Sequence, residues 1–184
     1  MSPLKPRIIE KFTDVDLFEA LRDETPWVVK GSTPRAECFM ALDLTRTYSY
    51  GSKARDRTYE ASPMHPGAKA LMDTINAAEG CAYNVRVLNY YRDEHQHLGW
   101  HPDDSPEQDQ NHPIAVVSFG ASREIWVTLQ DYKGLIPPED RYLLTPGALF
   151  IMPVGFQDTH FHKIPKHDRP CGGRISLTFR KLDR

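Results

Sequence analysis

Arg174-Ile-Ser176-Leu-Thr178-Phe-Arg180, close to the end of the chain, alternates apolar and polar residues without a break. Side chains along extended backbone point to opposite sides in turn, so Ile175, Leu177 and Phe179 fall on one face and Arg174, Ser176, Thr178 and Arg180 on the other. The same signature recurs upstream. Tyr83 to Tyr91 alternates, with Tyr83, Val85, Val87, Asn89 and Tyr91 sharing a face. Ile114 to Phe119, Glu124 to Leu129, Arg141 to Leu144 and Ala148 to Met152 are short runs separated by Gly, Pro, Asp and Asn, the punctuation expected of strands.

Helical spacing is confined to the first part of the chain. Thr13 reads as an N-cap with Asp16 three residues on, followed by Leu17, Phe18 and Leu21 up to Pro26. A second helix opens at His65-Pro66, lines one face with Ala68, Leu71, Met72 and Ile75, and closes at Gly80. Between them, Gly31 to Ser62 has no clear period and reads as loops with short strands. Two helices followed by a succession of strands predict an α+β domain built on an antiparallel sandwich or barrel. One domain over 1–184 suffices, with helices and loops in 1–80 and the β core in 81–184.

At 184 residues, with 40% hydrophobic and 26% charged residues, the chain is long enough to bury a real core. No apolar run approaches the length of a membrane span, and Met1 to Lys11 has neither the apolar stretch nor the cleavage site of a secretory signal. Three widely spaced cysteines, Cys38, Cys81 and Cys171, suggest neither a disulfide framework nor a cysteine zinc site, so a reducing cytoplasm is expected. The net charge of −2 does not demand a polyanionic partner. Basic residues nonetheless cluster, with Arg46, Lys53, Arg55 and Arg57 in one stretch and Lys166, Arg169, Arg174, Arg180 and Lys181 in another.

Chemistry is concentrated in three segments. In His97-Leu-Gly-Trp-His101-Pro-Asp103-Asp104, His101 and Asp103 are two apart and share a face of extended chain, as two ligands of one ion must. A second histidine from a distant strand would complete a two-His-one-carboxylate face with positions left open. Asp158-Thr-His160-Phe-His162 supplies two candidates on one face, and local geometry does not choose between them. The third segment is the opening strand. Its two arginines are costly to bury unless anions meet them, and a dicarboxylate would do so. A solvated edge strand with ordinary salt bridges is the plainer alternative.

Taken together, these segments resemble the AlkB family of nucleic-acid dealkylating oxygenases. The match runs through Asn89-Tyr-Tyr91-Arg-Asp, His97-Leu-Gly-Trp-His101-Pro-Asp103-Asp104, Pro113 to Gly120, Pro146-Gly147-Ala-Leu, Thr159-His-Phe-His162-Lys-Ile-Pro165 and Arg174 to Arg180. It covers residues 83 to 182 and lies nearest the DNA-repair branch. The resemblance implies a double-stranded β-helix (a jelly roll) with N-terminal helices packed on one side. It implies iron(II) held by His101, Asp103 and His162, which would also be the catalytic centre, with 2-oxoglutarate and O2 as cosubstrates. Arg174 would bind the distal carboxylate of 2-oxoglutarate, with Asn89, Tyr91, Thr178 and Arg180 completing that pocket.

It also implies oxidative demethylation of N-alkylated bases in DNA or RNA, of the N1-methyladenine and N3-methylcytosine type, with release of succinate, CO2 and formaldehyde. Two positions depart from the family pattern: Ser176 stands where Asn is usual, and Ser105 stands where repair members carry an acidic residue that meets the damaged base. Arg35 to Tyr59 occupies the place of the family's nucleotide-recognition lid. There Tyr48, Tyr50 and Tyr59 would either stack on a base or simply pack on the sheet, and Arg46, Lys53, Arg55 and Arg57 would meet phosphates. No duplex-probing wedge is evident, so single strands or nucleotides are favoured over duplex, with the protein acting as a monomer. Ser105 keeps open the same oxidation of an unmodified base, a protein or a small molecule. A third reading, of another class, is a non-catalytic β-barrel binding module.

Overall fold

The computed structural model describes residues 4–49, 57–132 and 140–183. Twelve strands dominate: β1 (Arg7–Ile9), β2 (Ala36–Ala41), β3 (Thr47–Ser49), β4 (Thr58–Glu60), β5 (Val85–Tyr91), β6 (Leu98–His101), β7 (Ile114–Gly120), β8 (Arg123–Leu129), β9 (Asp140–Leu144), β10 (Leu149–Met152), β11 (His160–Ile164) and β12 (Arg174–Arg180). Three helices accompany them: α1 (Phe18–Glu24), α2 (Pro66–Glu79) and the single turn α3 (Phe156–Thr159). A six-stranded sheet runs β1-β10-β7-β12-β5-β2, a four-stranded sheet β6-β11-β8-β9, and β3 pairs with β4. All these pairings are antiparallel, which agrees with the expected jelly roll. Among the described residues no helix is long and apolar enough to cross a membrane.

The opening strand proves central rather than an edge. β12 lies between β5 and β7, with Ser176 opposite both Asn89 and Ser118. Its apolar row, Ile175, Leu177 and Phe179, joins one buried cluster with Leu21 of α1 and with Ala68, Leu71, Met72 and Ile75 of α2. The opposite face of the large sheet meets the small sheet through Tyr91, Val116, Phe150, Ile125, Val127 and Ile164. A third cluster sets the β3–β4 hairpin, through Tyr48 and Tyr59, onto Phe39, Val85 and Val87.

Three expectations need correction. The first helix begins at Phe18, not after Thr13, because Thr13 N–H is drawn 3.2 Å from the Gly147 carbonyl and so lies outside the helix. Asp16 still serves its start, accepting from Phe18 N–H at 2.9 Å. Gly31 to Ser62 contains the wholly buried strand β2, which shows no period because both its faces are buried, Glu37 included. Leu98–His101 and His160–Ile164 are themselves strands, too short to declare themselves by alternation.

Two glycines separate backbone strain from crowding. Gly80 caps α2 at φ 64° and a Cβ there would meet nothing within 4 Å, whereas at Gly120, φ 84°, it would lie 2.3 Å from the Gly173 carbonyl oxygen. Gly80→Ala is expected to cost about 1 kcal/mol of left-handed strain, and Gly120→Ala clearly more. Thermal melts of the two variants check this, and equal losses would contradict it.

Candidate active site

The pairing of β6 with β11 brings the two histidines together. His162 stands opposite His101, while Ile164 stands opposite Leu98, so β6 carries an extra residue between the two contacts. That bulge lets both Leu98 and His101 face inward. Ligand atoms of His101, Asp103 and His162 all lie within 4.8 Å of one another. His101 Nε2 is 3.5 Å from Asp103 Oδ1, and His162 Nε2 is 3.7 Å from Asp103 Oδ2. Donors bound at about 2.1 Å to one ion, at right angles, stand about 3 Å apart, so a small inward movement closes the set.

The surroundings prepare each donor. His101 Nδ1 donates to the Gly99 carbonyl at 2.9 Å, which turns its Nε2 toward Asp103. Burial, reinforced by His101 alongside, pushes the His162 pKa down to about 3, so its imidazole is neutral, the form that ligates. Burial alone would raise the Asp103 carboxyl, but Arg180 and the two histidines hold it far below the usual carboxylate range. Arg180 Nη2 sits 2.7 Å from Asp103 Oδ1, and Gln157 Oε1 accepts from Asp103 N–H at 2.8 Å. His160, the rival ligand, is stacked on Phe156 at 4.5 Å with its Nδ1 2.8 Å from Thr159 Oγ1, outside the converging set.

One cavity is lined by these three residues together with Asn89, Tyr91, Arg174, Ser176, Thr178 and Arg180, and walled by Val116, Ile125 and Leu144. Arg174 is 1% exposed, and all three of its guanidinium nitrogens lack a hydrogen-bond partner among the described residues. Its guanidinium carbon overlies the Tyr91 ring, 5.4 Å from the centroid. Burial pushes the Arg174 pKa down to about 10, with Tyr91 opposing. A buried cation so placed fits an anion arriving in the cavity. The site can therefore take a metal ion at one end and a carboxylate at the other.

Of the two courses open to the hairpin tyrosines, Tyr48 and Tyr59 take packing on the sheet. Tyr48 is 1% exposed, stacked on Phe39 at 5.4 Å, so its ring is no platform for a base. Its hydroxyl accepts from Arg180 and, at 2.7 Å, from Ser105 Oγ. Ser105 is thereby committed to holding the hairpin rather than reading a substrate. Arg57 pairs with Glu37 at 2.7 Å instead of meeting phosphate. Tyr50 and Arg55, with Lys53, lie outside the described residues.

Glu37 is the residue that sequence reasoning missed. Its carboxylate accepts from Arg35, Arg57 and the Tyr59 hydroxyl, and Arg35 Nε donates to Asn89 Oδ1 at 2.5 Å. Tyr48 and Tyr59 are cross-strand partners, so the hairpin is tied at one register to two residues of the cavity lining, to Arg180 directly and to Asn89 through Glu37 and Arg35. Two opposite charges two residues apart in an apolar strand were the available signal. Removing one member of a buried ion pair costs about 3 kcal/mol, so Glu37→Gln is expected to destabilise by that order and Tyr59→Phe by about 1 kcal/mol. Denaturant titration measures both, and a loss from Glu37→Gln no larger than from Tyr59→Phe would remove Glu37 as the hub.

Comparison with known proteins agrees with this geometry. The chain is 30% identical over 155 residues to the human DNA oxidative demethylase ALKBH2, covering 82% of this chain and 58% of that one. It is 28% identical over 178 residues to human alpha-ketoglutarate-dependent dioxygenase alkB homolog 3, covering 90% of this chain and 60% of that one. The chain thus spans about three-fifths of the length of these relatives. The solved structure of OsALKBH1 superposes with a TM-score of 0.64 at 17% identity, covering 98% of each chain, a likeness of fold. Residues 4–180 match the profile of the 2OG-Fe(II) oxygenase superfamily, and the chain belongs to that superfamily.

Proposed function

We propose that this chain is a 2-oxoglutarate-dependent dioxygenase that oxidatively demethylates N-alkylated bases in nucleic acid. The observation that carries the reading is the pairing, in one cavity, of the His101, Asp103 and His162 face with the buried, unpartnered Arg174 guanidinium. His101, Asp103 and His162 would hold iron(II). Arg174 would take the distal carboxylate of 2-oxoglutarate, with Tyr91, Asn89 and Thr178 along its length. Arg180 would orient Asp103 and, through Tyr48, the hairpin beside the mouth.

When bound, iron(II) with 2-oxoglutarate and O2 supplies an oxidant able to hydroxylate a C–H bond, with succinate and CO2 as coproducts. The chain's own work is to keep Asp103 ionised and His162 neutral, to leave one side of the triad unliganded by protein, and to exclude water with Val116, Ile125 and Leu144. A hydroxylated N-methyl group leaves as formaldehyde. The names of the curated relatives, a DNA oxidative demethylase and an alpha-ketoglutarate-dependent dioxygenase, support the substrate class. A base in a polymer has to be turned out of its stack to reach such a cavity. The near-neutral charge favours single strands over duplex.

The reading includes one domain, a double-stranded β-helix backed by the N-terminal helices, working as a monomer in the cytoplasm, or in the nucleus of a eukaryote. A second reading, hydroxylation of an unmodified base, protein or small molecule, is favoured by one observation. Ser105 is buried and bonded to Tyr48, so no carboxylate reads a base from that position.

Anaerobic addition of iron(II) and 2-oxoglutarate is expected to give a weak visible charge-transfer band that His101→Ala removes. Arg174→Met is expected to leave thermal stability equal or higher while raising KM for 2-oxoglutarate at least about ten-fold, since it deletes a buried charge and its charge-assisted bonds. An unchanged KM would contradict the role given to Arg174. With methylated oligonucleotide, formaldehyde is expected, and oxidised product without formaldehyde would favour the second reading. At one fixed salt concentration single-stranded methylated oligonucleotide is expected to outcompete duplex, and the reverse order would overturn that preference.

A further inference from the structure

The outward face of the small sheet carries a row of alternating rings and cations. Trp100 on β6, Lys163 on β11, Trp126 on β8 and Arg141 on β9 follow one another across its four strands. Registration makes this a row, since Lys163 stands opposite Trp126 and Trp126 opposite Arg141. Lys163 Nζ lies 4.6 Å from the Trp100 ring centroid and 4.5 Å from that of Trp126, and the Arg141 guanidinium lies 4.4 Å from the Trp126 centroid. Trp126 is further fixed by its Nε1, which donates to Glu124 Oε2 at 2.6 Å. At about 4.8 Å between strands the row is about 14 Å long.

Among the described residues its cations have no salt-bridge partner. Among the described residues neither Lys163 nor Arg141 reaches a carboxylate within salt-bridge distance, and neither do Lys166 and Arg169 in the loop that follows β11. Arg141, Lys166 and Arg169 are exposed and line one open cavity with Trp126 and Leu143. Glu124, which accepts from Trp126, and Asp168 line the same cavity, so four cations stand against two carboxylates and leave this face locally basic in a chain whose net charge is −2. Trp100 and Lys163 are next in sequence to His101 and His162, so the row lies on the back of the two strands that supply the histidines, and β6 is the edge strand.

We propose that this outward face is a second polynucleotide contact, at which Lys163 and Arg141, pre-set by the two tryptophans, take phosphates of the single strand flanking the target base, with Lys166 and Arg169 extending the path. The proposal rests on the nucleic-acid reading above and adds a surface to it. A strand leaving the cavity over the β6 edge meets Trp100 first, and rings with cations at single-residue spacing suit bases and phosphates together. Holding the cations against rings lowers the ordering cost of each phosphate contact.

Binding and turnover separate this proposal from its parent. Affinity for an unmodified single strand of about 20 nucleotides is measured by anisotropy over a salt series, for wild type and for Lys163→Gln with Arg141→Gln. Turnover is measured on a methylated trinucleotide too short to reach the row. The double variant is expected to bind the long strand more weakly, with its salt slope reduced by about 1.4, two contacts at about 0.7 each. Its trinucleotide turnover is expected to match wild type. Arg141→Gln alone leaves β11 intact and is expected to remove about half of that slope change. Unchanged affinity and slope in both variants overturn the proposal, whatever the turnover. Absence of any nucleotide turnover by wild type overturns the parent reading, while the binding series still judges the face.

Discussion

The structure depends on a single register: His162 directly opposite His101 across β6 and β11, with Asp103 just past the strand end. Shifting that pairing by one residue would turn each histidine to the outer face and replace it with Trp100 or Lys163. The extra residue in β6 fixes the register by letting Leu98 and His101 both point inward, and Ile164 opposite Leu98 anchors it in the core. The geometry of the His-Asp-His set and hydrophobic packing are thus set by the same contacts.

Around that register the charges are arranged for groups the protein alone does not supply. Asp103 is kept ionised by Arg180, while His162 is kept neutral by burial. Among the described residues Arg174 is buried without an acceptor, a placement that costs the folded chain stability. In the proposed reading that cost is the counterpart of a cosubstrate site. Tyr48 and Tyr59 carry the same economy outward, tying the hairpin to Arg180 on one side and to Glu37 on the other.

Much of this was legible in the chain. Alternation over Arg174 to Arg180 placed the central strand and assigned its faces, because it has one apolar and one polar row; the Tyr83 to Tyr91 run placed its neighbour, which starts only at Val85, so Tyr83 joins the helix-side cluster instead of sharing a face with Val85 and Val87. Pro66 and Gly80 bounded α2 by the chemistry of helix ends. What stayed hidden has physical reasons. β2 is buried on both faces and shows no period. β6 and β11 are too short for alternation to show, and β6 is bulged. The exclusion of His160 depends on its stacking with Phe156, a contact made only in three dimensions. Tyr48 was a candidate stacking surface because its segment occupies the place of the family's lid, yet the hairpin folds that ring against Phe39. Glu37 was overlooked because its partners Arg57 and Tyr59 approach from a hairpin whose position no local pattern reveals.

The most direct test is a crystal structure with manganese(II), a redox-stable stand-in for the ferrous ion, and 2-oxoglutarate, with the metal located by anomalous scattering. The account predicts one ion about 2.1 Å from donor atoms of His101, Asp103 and His162, with the far carboxylate of the cosubstrate on the Arg174 guanidinium. An ion bound elsewhere, or a cosubstrate whose far carboxylate leaves Arg174 without a partner, would contradict it.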